Sequence, residues 1–454
     1  MKQLPPEPGP AVPFFPPPFV HHALSSGLEV RAARWGKRPT VAVSLLFPGA
    51  GSVADQSGRE GTSEITAESM LGGTSRKSSR ELAEAIDDLA AVVDVAAGFD
   101  SAVARLFILE KDLEQGLDLL AEVLGEASFP EDEIEKNRRR QIDLIKEQRS
   151  EPDFLARERL LDRLYPGHPY GTLTATEAGL LAITRDDVLG HYRTRFSLQG
   201  ATLILVGAAE PGRLIAAAER TFGRTSLGIA TRDGAIEPPP LVKGFSIHLV
   251  NRPGSVQTNL LFARPAIKRN DPRFAAAIVA NQSLGGGASS RLFHVLREER
   301  SLTYGAYSSL TPRVHAGHFG ASIDCRTDVT DAALSGLLGL IKEFAAEGPS
   351  EAEHLRSQNF LRGSFALARE TPGAIAQDET TRILHQLPQD EFLTWRERVG
   401  AVSTTDAREA AATLFDPSQG VLAAVGDASA IRATLEKYGE TTLWDADGPV
   451  LQAK

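Results

Sequence analysis

The sequence predicts an α+β fold with two tandem homologous domains, each a largely antiparallel sheet covered by helices on one side. Strand-like and helix-like stretches are mixed without the strict strand–helix–strand order of a parallel sheet. Landmarks of the first half return in the same order in the second half, at an offset of roughly 213 to 220 residues, which indicates a duplication. With 454 residues, of which 42% are hydrophobic, the chain is long enough for two packed cores.

Apolar patterns and capping signals predict the elements of the first half. Runs of alternating or continuous apolar residues are typical of strands, and leucines at helical spacing are typical of helices. Pro130 and the three acidic residues after it open a long helix, because both suit a first helical turn. Thr184 is an expected N-cap. The predicted strands span residues 28–34, 41–47, 92–97, 101–109 and 201–206, and the predicted helices span 62–71, 79–89, 113–124, 130–149, 153–164 and 211–222.

Five short motifs of the first half have counterparts in the second half. Each pair alone is weak evidence, but five pairs in one order at one offset are best explained by a duplicated domain. The sequence is therefore divided into a Pro-rich arm (1–18), an N-terminal domain (19–225), a linker (226–243) and a C-terminal domain (244–445). The paired motifs are Leu71-Gly-Gly with Leu284-Gly-Gly, Pro130-Glu-Asp-Glu with Pro349-Ser-Glu-Ala, Ser150-Glu-Pro with Glu370-Thr-Pro, Ile183-Thr with Val402-Ser, and Gln199-Gly with Gln419-Gly.

Composition excludes several classes of partner and site. The formal net charge of -10 argues against a nucleic-acid or anionic-membrane partner. Cys325 is the single cysteine, which excludes an internal disulfide and a cysteine-based metal site. No run of about 18 apolar residues occurs, so no membrane span is expected, and the Pro-rich start lacks the apolar region of a secretory signal. The expected location is the cytoplasm, with the periplasm as the alternative, because a lone cysteine fits both.

Two motifs carry the information about function. The first is Glu64-Ile-Thr-Ala-Glu68, on a predicted helix that ends at a Gly-Gly pair. The second is Leu284-Gly-Gly-Gly-Ala-Ser-Ser-Arg-Leu-Phe293, which continues to Tyr304. Together with the duplication, these motifs resemble the insulinase (pitrilysin-type, inverted zincin) metallopeptidases. The resemblance covers nearly all of the chain after the Pro-rich arm. It is closest to the two-domain bacterial branch related to mitochondrial processing peptidase and the cytochrome bc1 core proteins.

The first motif departs from the family pattern at every metal-site position. In the family, His-x-x-Glu-His places two imidazoles on one helix face to hold zinc, and the glutamate activates the bound water. The resemblance aligns these positions with Glu64, Ala67 and Glu68, so a degenerate metal motif is expected. The family's third ligand, a glutamate on a later helix, aligns near Asp143-Leu144, where no glutamate stands. None of the ten histidines is spaced to restore the motif.

Two charged stretches have a plain structural interpretation beside a functional one. Glu64 and Glu68, at positions i and i+4, are suited to a weak Mg²⁺ or Ca²⁺ site. They are also typical of a solvated acidic face near a helix N-terminus, and this interpretation is favoured because Ala67 supplies no general base. The basic run from Lys136 to Arg140 is interpreted as a solvated helix face with intrahelical ion pairs.

The second motif keeps Arg297 and Tyr304, seven residues apart. The resemblance implies that Tyr304 donates a hydrogen bond toward the oxyanion of the tetrahedral intermediate and that Arg297 holds substrate backbone or carboxylate. The structural interpretation is that Arg297 ends a charged helix over 292–299 and that Tyr304 merely starts a strand. The functional interpretation is favoured because of the resemblance.

The lost metal motif and the retained Arg297 and Tyr304 together lead to the favoured hypothesis. The chain is expected to be the non-catalytic subunit of a heterodimeric zinc peptidase, with no cofactor of its own. Its partner would be a homologous subunit that carries zinc on an intact His-x-x-Glu-His motif, and the two chains would close around an unfolded peptide. No independent peptidase activity is expected, and the isolated chain is expected to form homodimers if its apolar interface lacks the partner.

Two alternatives come from different functional classes. A purely structural or interaction protein, like the core subunits of a respiratory complex, explains the lost metal motif but not the retained Arg297 and Tyr304. A divergent hydrolase with a metal held by the oxygens of Glu64 and Glu68 would need a general base that the sequence does not supply. Variants of Arg297 and Tyr304, assayed in a mixed complex, separate the first hypothesis from both alternatives.

Overall fold

A computed structural model describes residues 14–225, 227, 236–240 and 242–446 of the chain. The first 13 residues of the predicted arm, and residues 226, 228–235 and 241 of the predicted linker, lie outside these described residues. The described residues form two six-stranded sheets with sixteen α-helices around them. None of these helices combines the length and the apolar character that a membrane span needs.

Six strands of the N-terminal half form the first sheet. They are β1 (Val20–Ala23), β2 (Glu29–Arg34), β3 (Thr40–Pro48), β4 (Val92–Ala97), β5 (Ser101–Leu109) and β6 (Thr202–Gly207). Their spatial order is β1-β2-β6-β3-β5-β4. Neighbouring strands are antiparallel except β2 and β6, which run parallel. Strands β3 and β6 are buried over almost their whole length, which places them at the centre of the fold.

Eight helices belong to the N-terminal half. They are α1 (Thr62–Ser69), α2 (Ser79–Asp88), α3 (Leu113–Gly125), α4 (Glu131–Arg149), α5 (Pro152–Leu164), α6 (Glu177–Ala182), α7 (Arg185–Arg195) and α8 (Pro211–Phe222). Helices α1, α3 and α8 contact strands of the first sheet, and α1 also contacts α4 and α7. Helix α1 is therefore held in the middle of the helical layer, with Ile65 and Ala67 fully buried.

The C-terminal half repeats this arrangement. Its strands are β7 (Phe245–Asn251), β8 (Gln257–Ala266), β9 (Thr303–Pro312), β10 (Gly317–Arg326), β11 (Gly420–Gly426) and β12 (Thr441–Asp445), in the spatial order β12-β7-β11-β8-β10-β9. Its helices are α9 (Phe274–Leu284), α10 (Arg291–Phe293), α11 (Thr330–Glu347), α12 (Glu351–Leu367), α13 (Pro372–Leu384), α14 (Glu391–Ala401), α15 (Thr404–Leu414) and α16 (Ala428–Leu435).

The strand order confirms the duplication. Five strands follow the same path in both sheets, since the order β2-β6-β3-β5-β4 corresponds to β7-β11-β8-β10-β9. Only the sixth strand differs. In the sequence, β1 comes before the other five strands of its sheet, whereas β12 comes after the other five strands of its sheet. Helix starts correspond as well: Thr184 and Ser403 each form a capping box at α7 and α15. Pro152 and Pro372 are the first residues of α5 and α13.

Each sheet is covered on its second face by a helix from the other half. Helix α13 of the C-terminal half packs on β3 and β6, where Ile375 and Ala376 are buried beside Ile204. Helix α5 of the N-terminal half packs on β8 and β11, where Leu160 is buried beside Val421. The prediction of helices on one side only is therefore wrong. The sequence pattern of a sheet face shows that it is buried, but not which distant helix buries it.

Buried polar contacts reinforce this exchange of helices. The hydroxyl of Tyr165, at the end of α5, lies 3.0 Å from Nδ1 of His318 on β10. The hydroxyl of Tyr170 donates to Asp100 at 2.5 Å and accepts from the backbone N–H of His315 at 3.1 Å. These residues come from both halves, so the loop after α5 and the β9–β10 turn are held together by hydrogen bonds with little access to water.

Buried histidines give the fold a predictable response to acid. Burial lowers the pKa of His318 to about 3 and that of His191 and His248 to about 4. Because an unfolded histidine titrates near 6.5, the unfolded chain binds more protons than the folded chain between these values. The histidine contribution is therefore complete above about pH 6.5 and is lost as pH falls. For His318 alone the loss is about 3 kcal/mol by pH 4.

We expect His318→Gln to flatten the pH dependence of the free energy of unfolding between pH 6.5 and 4. Urea unfolding at several pH values measures this slope. His22→Gln is the matched control, since His22 is exposed on β1. Equal slopes for the wild-type chain and His318→Gln would contradict the assignment of a buried neutral imidazole at this position.

Candidate functional site

Helix α1 starts from a strained and well-capped turn. Gly61 precedes it with φ of +99°, in the left-handed region, and a Cβ at this position would lie 2.9 Å from side-chain carbons of Ala175 and Leu180. Only glycine fits both constraints. The Asp55 carboxylate accepts hydrogen bonds from the backbone N–H groups of Gly61 and Ser63, each at 2.8 Å. This contact fixes the direction in which α1 presents its side chains.

The carboxylates of α1 are engaged by helix α4. Arg140 places its Nη2 2.6 Å from Oε2 of Glu68, and Gln141 donates from Nε2 to Oε1 of Glu68 at 3.0 Å. Burial raises the pKa of Glu64, against the smaller lowering effect of a hydrogen bond from Gln141. Ala67, between them, is fully buried and carries no polar atom. Together these residues form a cluster of two carboxylates, one amide and one guanidinium, which we call the α1–α4 cluster.

The α1–α4 cluster does not fit the zinc site of the family pattern. It contains no imidazole, and the cation beside Glu68 is the guanidinium of Arg140. Across the described ranges, no group of three or more histidine, cysteine, aspartate or glutamate side chains is arranged to hold a metal ion. Ala67 also leaves no carboxylate to act as a general base. The contacts seen at this cluster are ion pairing and hydrogen bonding between α1 and α4.

The structure places Gln141, rather than Asp143 or Leu144, opposite the first motif. Leu144 is exposed on α4, and Gln141 lies one helical turn before it, facing α1. The third-ligand position expected from sequence spacing, near Asp143-Leu144, therefore lies about one helical turn from the residue that faces α1. Sequence spacing alone does not fix the rotation of one helix against another. A heptad-like inspection of α4 would have pointed to Gln141, since it shares a face with the buried Ile134 and Ile145.

The basic run on α4 is confirmed in part as a set of helix-surface ion pairs. Lys136 pairs with Glu133 at 3.1 Å, and Arg139 pairs with Glu135 at 2.8 Å, both within the helix. Two arginines also reach other elements: Arg140 contacts Glu68, and Arg138 donates to the carbonyl oxygens of Leu180 at 3.0 Å and Ile183 at 2.7 Å. The interpretation of intrahelical pairing does not include these contacts, because they depend on neighbouring elements.

A polar cavity lies beside α1. It has a volume of about 440 Å³, and Asp55, Glu64, Phe99, Tyr165 and His168 are among its lining residues. Burial raises the pKa of Asp55 to about 6, although its hydrogen bonds with Gly61 and Ser63 act in the opposite direction. Glu64 therefore borders this cavity as well as helix α4.

Arg297 lies on an aromatic platform in the C-terminal half. It belongs to a π-helical turn, His294–Glu299, that continues α10, so the predicted helix over 292–299 is not a regular α-helix. Its guanidinium sits 4.6 Å from the ring centre of Phe293. The ring of Phe293 in turn packs 5.7 Å from that of Tyr307 on β9. Stacking of this kind holds a guanidinium in place while its N–H donors stay free for a ligand.

Tyr304 stands at the outer edge of the second sheet. It is 91% exposed on β9, which is the edge strand. The β9–β10 ladder skips a residue between its Ala306 pair and its Thr303 pair, so Tyr304 and Gly305 stand opposite the single residue Asp324. This arrangement is a β-bulge, a feature that redirects side chains at functional sites. The sequence could not show it, because a bulge exists only in the pairing of two strands.

The two motifs remain apart within the chain. In the part of the chain that the structure describes, no hydrogen bond, ion pair or ring contact joins Arg297 or Tyr304 to Glu64 or Glu68. Arg297 and Tyr304 themselves lie on neighbouring elements, because the π-helical turn contacts β9 and the backbone N–H of Ser301 donates to the carbonyl of Arg297 at 3.2 Å. Both side chains are exposed and are therefore accessible to another molecule.

The family models match both halves. Residues 33–177 match the model described as insulinase (peptidase family M16), and residues 182–361 match the peptidase M16 inactive domain. The chain belongs to the M16 peptidase family. Its resemblance to insulinase-type peptidases is thereby confirmed. The second match begins within the N-terminal half, just before α7, and ends within α12 of the C-terminal half.

Similar proteins and structures carry M16 names. The chain is 23% identical over 375 residues to an uncharacterised zinc protease of Streptomyces coelicolor, covering 80% of each chain. It is 25% identical over 336 residues to an uncharacterised zinc protease of Bacillus subtilis, covering 73% of this chain and 80% of that one. The crystal structure of a peptidase M16 inactive domain from Pseudomonas fluorescens superposes with a TM-score of 0.83 at 26% identity, over 90% of this chain and 98% of that one.

A protease from Helicobacter pylori superposes nearly as well. The TM-score is 0.82 at 17% identity, over 90% of this chain and 99% of that one, and at this identity the likeness concerns the fold alone. Both superpositions cover 90% of this chain.

Proposed function

We propose that this M16 chain is the non-catalytic subunit of a heterodimeric zinc peptidase. It presents Arg297 and Tyr304 to the zinc site of a homologous partner that carries His-x-x-Glu-His. In this role the chain needs no metal or cofactor of its own, and the zinc belongs to the partner. The substrate is an unfolded peptide enclosed between the two subunits.

The observation that carries the proposal is the exposure of the Arg297–Tyr304 pair. Arg297 is stacked on Phe293 with its donors free, and Tyr304 is 91% exposed in a bulge at a sheet edge. Exposed tyrosine and arginine side chains on a rigid support are typical of interface positions that contribute strongly to binding. Within the described residues neither contacts α1, so a role in this chain's own first domain lacks support.

The α1–α4 cluster supports the same proposal, in which the partner holds the zinc and this chain does not. A metal bound at Glu64 and Glu68 would have to displace the Arg140 guanidinium, which lies 2.6 Å from Glu68. Ala67 offers no base to activate a water molecule. A chain of this kind depends on a partner for the hydrolytic step.

The chemistry proposed for the pair follows from their donors. The phenol of Tyr304 can donate one hydrogen bond to the oxygen that becomes negatively charged when water attacks the scissile carbonyl. The guanidinium of Arg297 can hold a peptide carbonyl or carboxylate with two N–H groups at once. Both contacts are stronger in the dry space between two closed subunits than in water.

Reconstitution tests the proposal. Zinc content and cleavage of a quenched peptide are measured for this chain, for an M16 protein of the same organism that carries His-x-x-Glu-His, and for their mixture. We expect neither zinc nor activity in this chain alone, and activity in the mixture that exceeds the sum of the separate samples. Activity of the mixture no greater than that of the zinc-bearing chain alone would favour a structural protein. Metal-dependent activity of this chain alone would favour a divergent hydrolase.

A further inference from the structure

The backbone at Tyr304 sets the direction in which its side chain leaves the strand. The phenol makes no hydrogen bond and no ring contact in the part of the chain that the structure describes, and it is 91% exposed, with Arg326 as an electrostatic neighbour. The rotamers of such a side chain all start from its Cα–Cβ bond, so the direction of that bond limits the positions that the phenol can reach. The geometry of the bulge at Tyr304 and Gly305 sets the direction of this bond.

A single hydroxyl group closes this bulge. Oγ1 of Thr303 accepts a hydrogen bond from the backbone N–H of Gly305 at 3.0 Å. Its proton is shared between two backbone carbonyl oxygens, that of Asp324 on β10 at 2.6 Å and that of Gly305 at 2.8 Å. The extra residue in a bulge leaves ladder groups without their regular partners. Thr303 supplies those partners and so bridges the two strands on either side of Tyr304.

Gly305 fits the same bulge by its lack of a side chain. A Cβ at this position would lie 2.6 Å from a ring carbon of Tyr307. The ring of Tyr307 therefore lies against the backbone of Gly305, and its other contact is Phe293, which supports Arg297. The bulge and the aromatic platform are one continuous piece of structure.

We infer that Thr303 is the positioning residue for Tyr304. Its hydroxyl holds the bulge in the geometry that directs the Cα–Cβ bond of Tyr304 away from the sheet edge. The inference rests on the proposed function for its effect on catalysis, but the contact between Thr303 and the bulge is a property of this chain alone. Thr303 touches no substrate and acts only through Tyr304.

Two substitutions at one position test the inference. Thr303→Val keeps the shape of the side chain and removes the hydrogen bonds of its hydroxyl, whereas Thr303→Ser keeps the hydroxyl. In the mixed complex we expect Thr303→Val to lower kcat by about tenfold with little change in KM, because a misdirected donor weakens the transition state more than the bound peptide. Thr303→Ser should stay within about twofold of the wild-type chain. Thr311→Val, on the same strand outside the bulge, is the matched control.

A measurement on the isolated chain keeps the inference separate from the proposed function. The chain contains six tyrosines, so 3-fluorotyrosine labelling gives six ¹⁹F resonances, and Tyr304→Phe identifies one of them. Thr303→Val should shift or broaden that resonance, and Thr303→Ser and Thr311→Val should leave it in place. An unshifted Tyr304 resonance in Thr303→Val would overturn the inference, whatever the activity data show.

The double variant shows whether Thr303 acts through Tyr304. If it does, Thr303→Val lowers kcat in the wild-type background but adds nothing in a Tyr304→Phe background. Additive losses would mean that Thr303 supports the fold independently, and the inference would fail. If Tyr304→Phe itself keeps full activity, the proposed function fails, while the ¹⁹F result still decides the role of Thr303. If Thr303→Val does not fold, a shifted Tyr304 resonance in Thr303→Ser would overturn the inference.

Discussion

Replacing Tyr304 by phenylalanine is expected to lower kcat of the mixed complex by about 10²- to 10³-fold, as the loss of one oxyanion donor does in other hydrolases. The ring stays in place, so the change removes only the hydroxyl. Because this donor acts on charge that develops in the transition state, kcat should fall while KM changes little. Zinc content of the complex should be unchanged, since the metal belongs to the partner.

Arg297→Ala is expected to show a different kinetic signature in the same assay. Its guanidinium binds the peptide before and during reaction, so we expect a rise in KM as well as a loss in kcat/KM of about 10²-fold. Tyr438→Phe and Arg432→Ala are matched controls on the surface of the same domain, where these side chains contact Asp331 and Glu436. Full activity of both Tyr304→Phe and Arg297→Ala would rule out a contribution in trans.

Removing the Glu379 carboxylate is expected to destabilise the whole chain by about 3 to 5 kcal/mol, because it would leave the buried guanidinium of Arg382 and the half-buried guanidinium of Arg31 without this counter-ion. Glu379 is 4% exposed on α13. It accepts from Arg31 of the N-terminal half at 3.1 Å and from Arg382 on its own helix at 2.7 Å. The contact therefore links the exchanged helix to the sheet that it covers.

Urea unfolding of Glu379→Ala measures this loss. Glu409→Ala is the matched control, since Glu409 is an exposed carboxylate on α15, and its removal should change stability by less than about 0.5 kcal/mol. A change for Glu379→Ala no larger than that of the control would mean that the two arginines are solvated. If the variant unfolds in two steps, one for each half, the half that unfolds at the lower urea concentration is the one that depends more on α13.

Local patterns predicted most of the N-terminal half, and the reasons are physical. Strands β4 and β5 and helix α8 begin and end where periodicity, turn residues and proline indicate, because these signals are local in the chain. Strand β1 and helix α6 are not among the predicted elements. The four residues of β1 are exposed and carry no apolar alternation, and α6 has only six residues, although Thr176 caps it. Elements this short depend on contacts with their neighbours more than on their own sequence signal.

The site residues also divide into those that local sequence identifies and those that depend on contacts between elements. Glu64, Ala67, Glu68, Arg297 and Tyr304 could be singled out because their identities depart from, or match, a family pattern. The contacts of Arg140, Gln141 and Thr303 could not, because each depends on how one element is rotated or registered against another. Burial and pairing of this kind are long-range properties, and spacing in one sequence does not encode them.

The exchange of α5 and α13 has a consequence for motion. A hinge motion that separated the two halves would have to remove each of these helices from the sheet that it covers. This would expose Leu160, Ile375 and their apolar neighbours to water. Domain boundaries that slide or hinge are usually polar and weakly packed. This boundary instead joins an apolar centre to buried polar contacts, such as the one between Tyr165 and His318. The chain is therefore expected to move as one rigid body. In the proposed heterodimer, an opening that admits a peptide would then take place between the subunits, at a rate set by the contact between them.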